Sequence, residues 1–361
     1  MKKSLVALAI LAAAGVASAQ SSVTLFGVVD VNYAHGSGSG VGSSSKSQIT
    51  DSGYNSSRIG FRGTEDLGGG MSASFWLEAG VNPDNGTGDA TNTNNQTTGA
   101  STGNGLTFNR RSTVSLASGL GELRLGRDYT PQFWNQTVFD PFGTNGVGTT
   151  QTLNSGGALM GSVGVRASNS VGYFLPGNLG GFYGQFQTYM GENNKNGLAT
   201  EKDGNGSAIR LGYANGPVNV ALATSSTRYA ATATTGKVKT TNLGGSYDFG
   251  VAQAMALVTR DKVASTPTSV TGKGALIGAL VPMGAGQIRV AYSTYKTDAA
   301  TTPKSKKWAL GYVHNLSKRT ALYTTFARVT NSGGASQALN GAVTAANNRS
   351  TGYDFGIKHS F

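Results

Sequence analysis

The chain ends on Thr351-Gly352-Tyr353-Asp354-Phe355-Gly356-Ile357-Lys358-His359-Ser360-Phe361, a stretch with the two-residue period of a β-strand. Its odd-numbered positions are mostly aromatic or apolar, and its even-numbered positions are small or polar. A soluble edge strand could show this pattern, but it would leave an aromatic row open to aggregation. Eleven residues is also about the length of a tilted strand that crosses a bilayer. The stretch therefore favours a transmembrane barrel strand, with one face toward lipid and the other toward water.

The first residues indicate a secreted protein. Two lysines, an apolar run over 5–16 and the small residues Ala17-Ser18-Ala19 follow one another, which predicts a signal peptide over 1–19 and a mature barrel over 20–361. The apolar run is shorter than the roughly 20 residues that an anchoring helix needs. No later stretch is apolar enough for such a helix, so we expect any crossing of a membrane to be made by strands.

Composition agrees with this interpretation. Glycine accounts for 54 of 361 residues, hydrophobic residues make up only 38 %, and cysteine is absent. So polar a composition could indicate disorder. The regular return of apolar residues at every second position argues against disorder.

Alternating runs recur along the whole chain. They predict sixteen strands over residues 22–33, 55–63, 70–81, 106–117, 120–128, 166–175, 181–191, 207–214, 217–228, 238–249, 251–261, 272–282, 286–297, 305–314, 319–330 and 349–361. Seven tight turns rich in Gly, Asn, Asp and Pro alternate with longer polar loops. This alternation predicts an all-β, sixteen-stranded antiparallel transmembrane barrel, with short turns toward the periplasm and long loops outside. A barrel of that size leaves a water-filled lumen.

The third long loop, over 129–165, differs from the others. It spans roughly 37 residues, and loops of such length are usually functional or disordered. It contains Trp134, Phe139 and Phe142, which need a surface to pack against. We expect this loop to fold inward onto the lumen wall.

Several segments resemble the Gram-negative general porins. They are Ser22-Val23-Thr24-Leu25-Phe26-Gly27, Gly63-Thr64-Glu65-Asp66-Leu67-Gly68-Gly69-Gly70, Gly126-Arg127-Asp128-Tyr129, Asn169-Ser170-Val171-Gly172-Tyr173, Asn178-Leu179-Gly180-Gly181-Phe182 and the terminal Phe361. The run from Gly311 to Thr320 resembles the β-proteobacterial branch, some members of which are anion-selective.

The resemblance implies a homotrimer in the Gram-negative outer membrane, surrounded by lipid and lipopolysaccharide. The third loop would form a constriction, and small hydrophilic solutes would diffuse passively without a cofactor. Phe361 would be part of the signal that the barrel assembly machinery reads.

The resemblance also singles out three arginines. Arg58, Arg110 and Arg166 match the cluster that lines the porin constriction. Strand alternation places Arg110 on the face of Val114 and places Arg111 on the opposite face. A β-bulge could reconcile the two, so Arg111 stays as the alternative.

Positive charge is spread along the chain. The formal net charge is +12, but nucleic-acid binding needs bases clustered on one element, so we expect no such partner. Arg62 and Arg124 are further lumen-facing candidates, and arginines around a pore favour small anionic solutes. The loop 129–165 holds one acid, Asp140, where many general porins carry several, which makes cation preference doubtful.

An enzyme would need a different set of residues. The three histidines are His35, predicted in a polar loop, His314 at a turn and His359 on the outward face. None is placed to activate a nucleophile, and no metal-ligand spacing occurs, so we expect no enzymatic activity and no metal. The alternative function is a substrate-specific channel for organic anions such as dicarboxylates, phosphate or aromatic acids.

Overall fold

The computed structural model describes residues 22–102, 105–150, 163–231, 234–265 and 269–361. The predicted signal peptide lies outside these residues, and so does the segment 151–162 of the third loop. None of the helices in the described ranges has the length and apolar character that crossing a bilayer requires.

A single closed antiparallel sheet forms the fold. Two short strands, β2 (Lys46–Asp51) and β5 (Thr87–Gly88), lie within loops. The sixteen barrel strands are β1 (Ser22–Gly38), β3 (Arg58–Gly68), β4 (Met71–Asn82), β6 (Arg111–Ser118), β7 (Gly121–Tyr129), β8 (Arg166–Phe174), β9 (Phe182–Tyr189), β10 (Gly206–Asn215), β11 (Val218–Ala231), β12 (Thr234–Asp248), β13 (Gln253–Ser265), β14 (Ser269–Met283), β15 (Gly286–Thr297), β16 (Lys304–Asn315), β17 (Thr320–Ser332) and β18 (Arg349–Ser360). Each pairs with its neighbours, and β1 pairs with both β18 and β3. The predicted sixteen-stranded barrel is confirmed.

The last residue completes the seam of the barrel. The backbone N–H of Phe361 donates to the Gly27 carbonyl, and the Gly27 N–H donates to the Phe361 carbonyl, each at 3.1 Å. A Cβ at Gly27 would lie 2.3 Å from the Phe361 ring, so only glycine leaves room for that ring. The end of the chain is therefore hydrogen-bonded to its first strand.

The two faces of the strands follow the predicted alternation. In β1, Val23, Leu25 and Val29 are exposed on the outer face, whereas Asp30 and Asn32 are buried inside. An outer apolar face and an inner polar face are what a barrel in a bilayer with a water-filled lumen requires.

One predicted strand begins too early. The sequence predicts a strand over 106–117, but β6 begins at Arg111. The side chain of Asn109 accounts for the difference, because its Oδ1 accepts from the Gly80 N–H at 2.8 Å and its Nδ2 donates to the Ala90 carbonyl at 3.0 Å. These bonds hold the segment against the preceding loop instead of in the sheet.

The first predicted loop, 34–54, is also partly wrong. β1 continues to Gly38, and Lys46–Asp51 form β2, which pairs with β1. His35 therefore lies on a strand, with Nδ1 2.8 Å from the Ser47 Oγ. The Gly- and Ser-rich sequence is typical of a loop, but backbone pairing does not depend on side chains.

The third loop opens with a helix inside the barrel. This helix, α1 (Pro131–Val138), has proline at its start, where the ring's fixed φ suits a helix. Asn135 Nδ2 donates to the Ala221 carbonyl, and Asn242 Nδ2 donates to the Gln132 carbonyl, each at 2.9 Å. The helix is thus hydrogen-bonded to β11 and β12.

After α1 the loop packs against glycines on the lumen wall. A Cβ at any of three wall glycines would come within 3.0 Å of a loop side chain, so a larger residue would displace the loop. The pairs are Phe139 on Gly244 at 2.1 Å, Pro141 on Gly278 at 2.7 Å and Phe142 on Gly311 at 3.0 Å. The described part of the loop confirms the predicted inward folding.

Candidate pore constriction

A water-accessible space of about 470 Å³ lies between the third loop and the wall formed by β3, β4, β6 and β8. Among the residues that the structure describes, five arginines and one acid line it. They are Arg58, Arg62, Arg110, Arg111, Arg166 and Glu78. The structure therefore brings the three predicted arginines together and adds two of the three further candidates.

Glu78 joins two of these arginines. Its Oε1 lies 2.6 Å from Arg110 Nε and 3.7 Å from Arg58 Nε, and its Oε2 accepts from Trp76 Nε1 at 2.9 Å. Arg58 Nη1 also donates to Asn55 Oδ1 at 3.1 Å. These contacts hold both guanidinium groups at the wall without cancelling their combined charge.

Tyr129 joins the other pair. Its hydroxyl accepts from Arg110 Nη2 at 2.7 Å and from Arg166 Nη2 at 3.0 Å. The Arg166 guanidinium also lies 4.6 Å from the centre of the Tyr129 ring, which is within the range of a cation–π contact. A neutral phenol thus positions two cations side by side.

Arg62 and Arg111 both pack on Trp76, with guanidinium carbons 5.1 and 4.6 Å from its ring centre. Arg111 Nε is also 3.8 Å from Asp128 Oδ1. Arg111 Nε donates to Thr113 Oγ1 at 3.1 Å, and stacking on an aromatic ring leaves the other N–H groups of a guanidinium able to donate hydrogen bonds.

The alternatives Arg110 and Arg111 both reach the same space. Arg111 is the first residue of β6 and faces inward by alternation. Arg110 precedes the strand, so strand parity does not constrain it, and its backbone N–H donates to the Glu78 carbonyl at 3.1 Å. Alternation along the predicted strand placed Arg110 and Arg111 on opposite faces because that strand began before Arg111.

Arg124 also faces inward, but it lies apart from this group. Its guanidinium contacts Glu122 Oε1 at 2.8 Å and Asp128 Oδ2 at 2.6 Å, and it stacks 4.0 Å over the Phe174 ring. Glu122 and Asp128 therefore offset its charge, although Asp128 also lies near Arg111.

Asp140 does not line the arginine space. It is buried within the third loop, where its carboxylate accepts from the backbone N–H groups of Phe142 at 2.9 Å and Thr150 at 2.7 Å. Burial raises the pKa of this carboxyl against the effect of those hydrogen bonds. Its contacts shape the loop, and the acid beside the arginines is Glu78.

The far side of the third loop is tied to the opposite wall. Lys307 Nζ donates to the carbonyls of Val147, at 3.2 Å, and Thr149. Asp354 Oδ2 accepts from the Val147 N–H at 2.8 Å. The loop is thus bonded to β16 and β18 as well as to β11 and β12.

Sequence reasoning missed a second inward segment, residues 52–57. Ser52 has φ +61°, and the turn that follows places the backbone N–H groups of Tyr54 and Asn55 on Asp30 Oδ2, at 3.0 and 2.6 Å. A polar residue in the middle of an otherwise apolar-patterned strand, Asp30, was the signal that could have indicated it. Among the described residues, no three His, Asp or Glu side chains meet in a way that could hold a metal ion.

Known proteins are similar to this chain in sequence and in fold. Residues 4–334 match the family model described as Gram-negative porin. The chain is 38 % identical over 371 residues to outer membrane porin protein 32 of Delftia acidovorans, with 100 % of each chain covered. The chain belongs to the Gram-negative porin family.

Two further comparisons extend this result. An outer membrane porin of Bordetella pertussis is 31 % identical over 375 residues, covering 90 % of this chain and 93 % of the relative. The solved structure of the anion-selective porin from Comamonas acidovorans superposes with a TM-score of 0.83 at 35 % identity, covering 95 % and 100 % of the two chains. The predicted outer-membrane location and porin function are confirmed. Porins are channels, and the expectation of no enzymatic activity stays a prediction.

Proposed function

We propose that this porin prefers anions among the small hydrophilic solutes that diffuse through it, and that Arg58, Arg110 and Arg166 set the preference. The observation that carries the proposal is the surplus of positive charge around the 470 Å³ space, which five arginines and one glutamate line in the described part of the chain. The similar porin from Comamonas acidovorans is described as anion-selective, which supports a preference for anions in this porin.

The size of the effect follows from Coulomb's law. Two unit charges about 4 Å apart interact by roughly 1 kcal/mol in bulk water and by roughly 4 kcal/mol at the lower effective dielectric near a protein surface. Mobile ions screen much of this. We expect anions to be preferred by a few-fold to about tens-fold, with single changes giving smaller shifts than combined ones because neighbouring arginines share one field.

The test is the reversal potential of the purified porin in a planar bilayer under a potassium chloride gradient. Replacing Arg58, Arg110 and Arg166 together by Gln should move the potential toward zero or toward cation preference. A matched control removes three exposed cations that do not line the arginine space, Lys195→Gln, Lys318→Gln and Arg319→Gln, and should leave the reversal potential unchanged. A wild-type preference for potassium, or an unmoved potential in the triple arginine variant, would show that the site is wrong.

The substrate-specific alternative makes a different prediction. Flux of one dicarboxylate, phosphate or aromatic acid would saturate with concentration, whereas a general porin gives linear flux. The arginines that line the space come from several strands, and their combined charge acts on anions as a class, so we favour the general porin.

The proposal extends to partners. Family membership supports a homotrimer, whose mass in detergent can be measured by light scattering. We also propose contact with outer-membrane lipid and lipopolysaccharide, delivery by the barrel assembly machinery through Phe361, and anionic solutes in the lumen.

A further inference from the structure

Positive side chains gather on the outer face of the barrel, near the end that carries the long loops. The outward positions of β11–β17 whose side chains the structure describes hold cations and no acid. They are Arg228, Lys237, Lys239, Arg260, Lys262, Lys273, Lys296, Lys304, Lys306 and Arg328. These positive charges extend over seven adjacent strands. They face away from the lumen, so they do not act on solutes inside the pore.

Four of these cations stand in one row. Arg260 is directly opposite Lys273, Lys273 is opposite Lys296, and Lys296 is opposite Lys304. Like charges directly opposite each other in a sheet are destabilising, so three successive like-charge pairs call for a compensating anion. We name this row, Arg260, Lys273, Lys296 and Lys304, the cation row.

The protein does not supply that anion in the residues described. The ion pairs found among them all lie around Glu78, Glu122 and Asp128, inside the lumen. Asp298, in the loop after β15, accepts a hydrogen bond from the Thr271 N–H on its Oδ1 at 2.6 Å. The outer cation that its charge acts on is Lys262, which is not a member of the cation row. The cation row therefore faces outward without a bound carboxylate.

An apolar groove of about 860 Å³ runs beside the cation row on β12–β16. Its floor contains a second row of directly opposed residues, Ala256, Ile277, Tyr292 and Trp308. Each lies four residues from a member of the cation row on the same strand, which is about 13 Å along the strand. Ala256 and the directly opposed Gly245 are small, whereas Ile277, Tyr292 and Trp308 are large, so the surface is concave at Ala256.

We propose that this surface binds a phosphorylated lipid of the lipopolysaccharide class, with its phosphates on the cation row and an acyl chain in the groove. The inference rests on the lipid contact proposed above and is independent of anion selectivity. The geometry matches the ligand because the groove lies toward the middle of the bilayer and the cations lie toward the long loops. The row spans four strands, about 14 Å, so it can contact more than one phosphate of a headgroup.

The decisive experiment measures binding and stability of the purified full-length porin in neutral detergent, with Lys273→Gln and Lys296→Gln combined. Affinity for diphosphorylated lipid A should fall by about fivefold for each lysine removed. Without lipid, the double variant should unfold at the same temperature as wild type or higher, because the like-charge contacts are gone. With lipid A present, wild type should be the more stable of the two, since a ligand stabilises the state that binds it.

Control variants and ligands separate the contribution of the cation row to lipid binding from that of the groove and from effects on the pore. Lys318→Gln with Arg319→Gln removes two cations at a periplasmic turn and should leave lipid affinity unchanged. Ala256→Phe should fill the groove and weaken lipid binding with all cations in place. Dephosphorylated lipid A and inorganic phosphate should each stabilise wild type less than diphosphorylated lipid A. The reversal potential of the Lys273/Lys296 variant in a bilayer without lipopolysaccharide should equal that of wild type, whatever the outcome for Arg58, Arg110 and Arg166.

Several results would overturn the proposal. Unchanged lipid A affinity in the double lysine variant would show that the cation row is not the headgroup site. Equal stabilisation by inorganic phosphate alone would show a free-anion site without lipid. An equal loss of lipid A affinity in the variant with Lys318→Gln and Arg319→Gln would show that the lipid responds only to the net charge of the protein. If the double variant does not fold, Lys273→Gln alone is compared with wild type in the same way. It removes one positive charge instead of two, and the expected loss of affinity is about fivefold.

Discussion

At the residue scale, Glu78 is the acid that contacts two of the pore-lining arginines. It lies 2.6 Å from Arg110 and 3.7 Å from Arg58, and it is the one acid among the described side chains that line the space. A carboxylate in that position holds the guanidinium groups in place and also lowers the local positive potential. These two effects oppose each other for anion passage.

Replacing Glu78 by Gln separates the positioning of the guanidinium groups from the lowering of the positive potential. The amide keeps the size of the side chain and an acceptor for Trp76, but it removes one negative charge, so anion preference should rise by a few-fold. The reversal potential under a salt gradient measures this. Glu122→Gln is the matched control, because Glu122 pairs with Arg124 outside the space and its loss should change the potential less. A shift of the Glu78→Gln channel toward cations would contradict the account.

At the scale of elements, the third loop is placed by its fit to the wall. The aromatic ring of Phe139 packs where Gly244 of β12 has no side chain, and the same holds for Pro141 on Gly278 of β14. Hydrogen bonds from Lys307 and to Asp354 hold the other end of the described loop. The width of the pore therefore depends on glycines far from the loop in sequence.

Gly244→Ala should push the loop from its position. The added Cβ would lie 2.1 Å from the Phe139 ring, and overpacking of this kind typically costs about 1–3 kcal/mol. Single-channel conductance should rise or become heterogeneous. Gly245→Ala is the control on the same strand, since its nearest neighbour would be at an ordinary 3.5 Å. Equal conductance in both variants would mean that the loop does not depend on this contact.

Excising the third loop tests its position more directly. Removing most of residues 131–164 should raise conductance while the barrel stays intact, because the sixteen strands pair without the loop. A correctly folded deletion with wild-type conductance would place the loop outside the conducting path.

At the scale of the whole molecule, the barrel is one hydrogen-bonded ring that ends at Phe361. Because Phe361 bonds to Gly27 of β1, the chain closes only when its last strand is in place. A closed sheet has no exposed edge, which is why such a barrel can lie in hydrocarbon.

Deleting Phe361 should leave most of the chain unassembled in the periplasm. Both the seam contact and the terminal aromatic would be lost, whereas Phe361→Tyr retains an aromatic ring and should assemble. The amount of heat-modifiable oligomer in outer-membrane fractions is the measurement. Normal amounts after the deletion would contradict the assembly role.

The sequence by itself determined the barrel. The period of two in the apolar residues, the tight turns and the alternation of short and long connections are local properties, and backbone pairing between neighbouring strands follows chain order. For that reason the strand over 286–297 has the predicted bounds, and Arg58, Arg62 and Arg124 face inward as alternation requires.

Only the tertiary structure decided which charged side chains lie close together. Arg110 and Arg111 both reach the space because Asn109 diverts the chain before β6, an effect of contacts with Gly80 and Ala90 that no local pattern encodes. Asp140, the loop acid, is buried in its own loop, and Glu78 stands beside the arginines instead. Charge balance depends on distances between side chains from different strands, and these distances exist only after the barrel closes and the loop packs on its glycines.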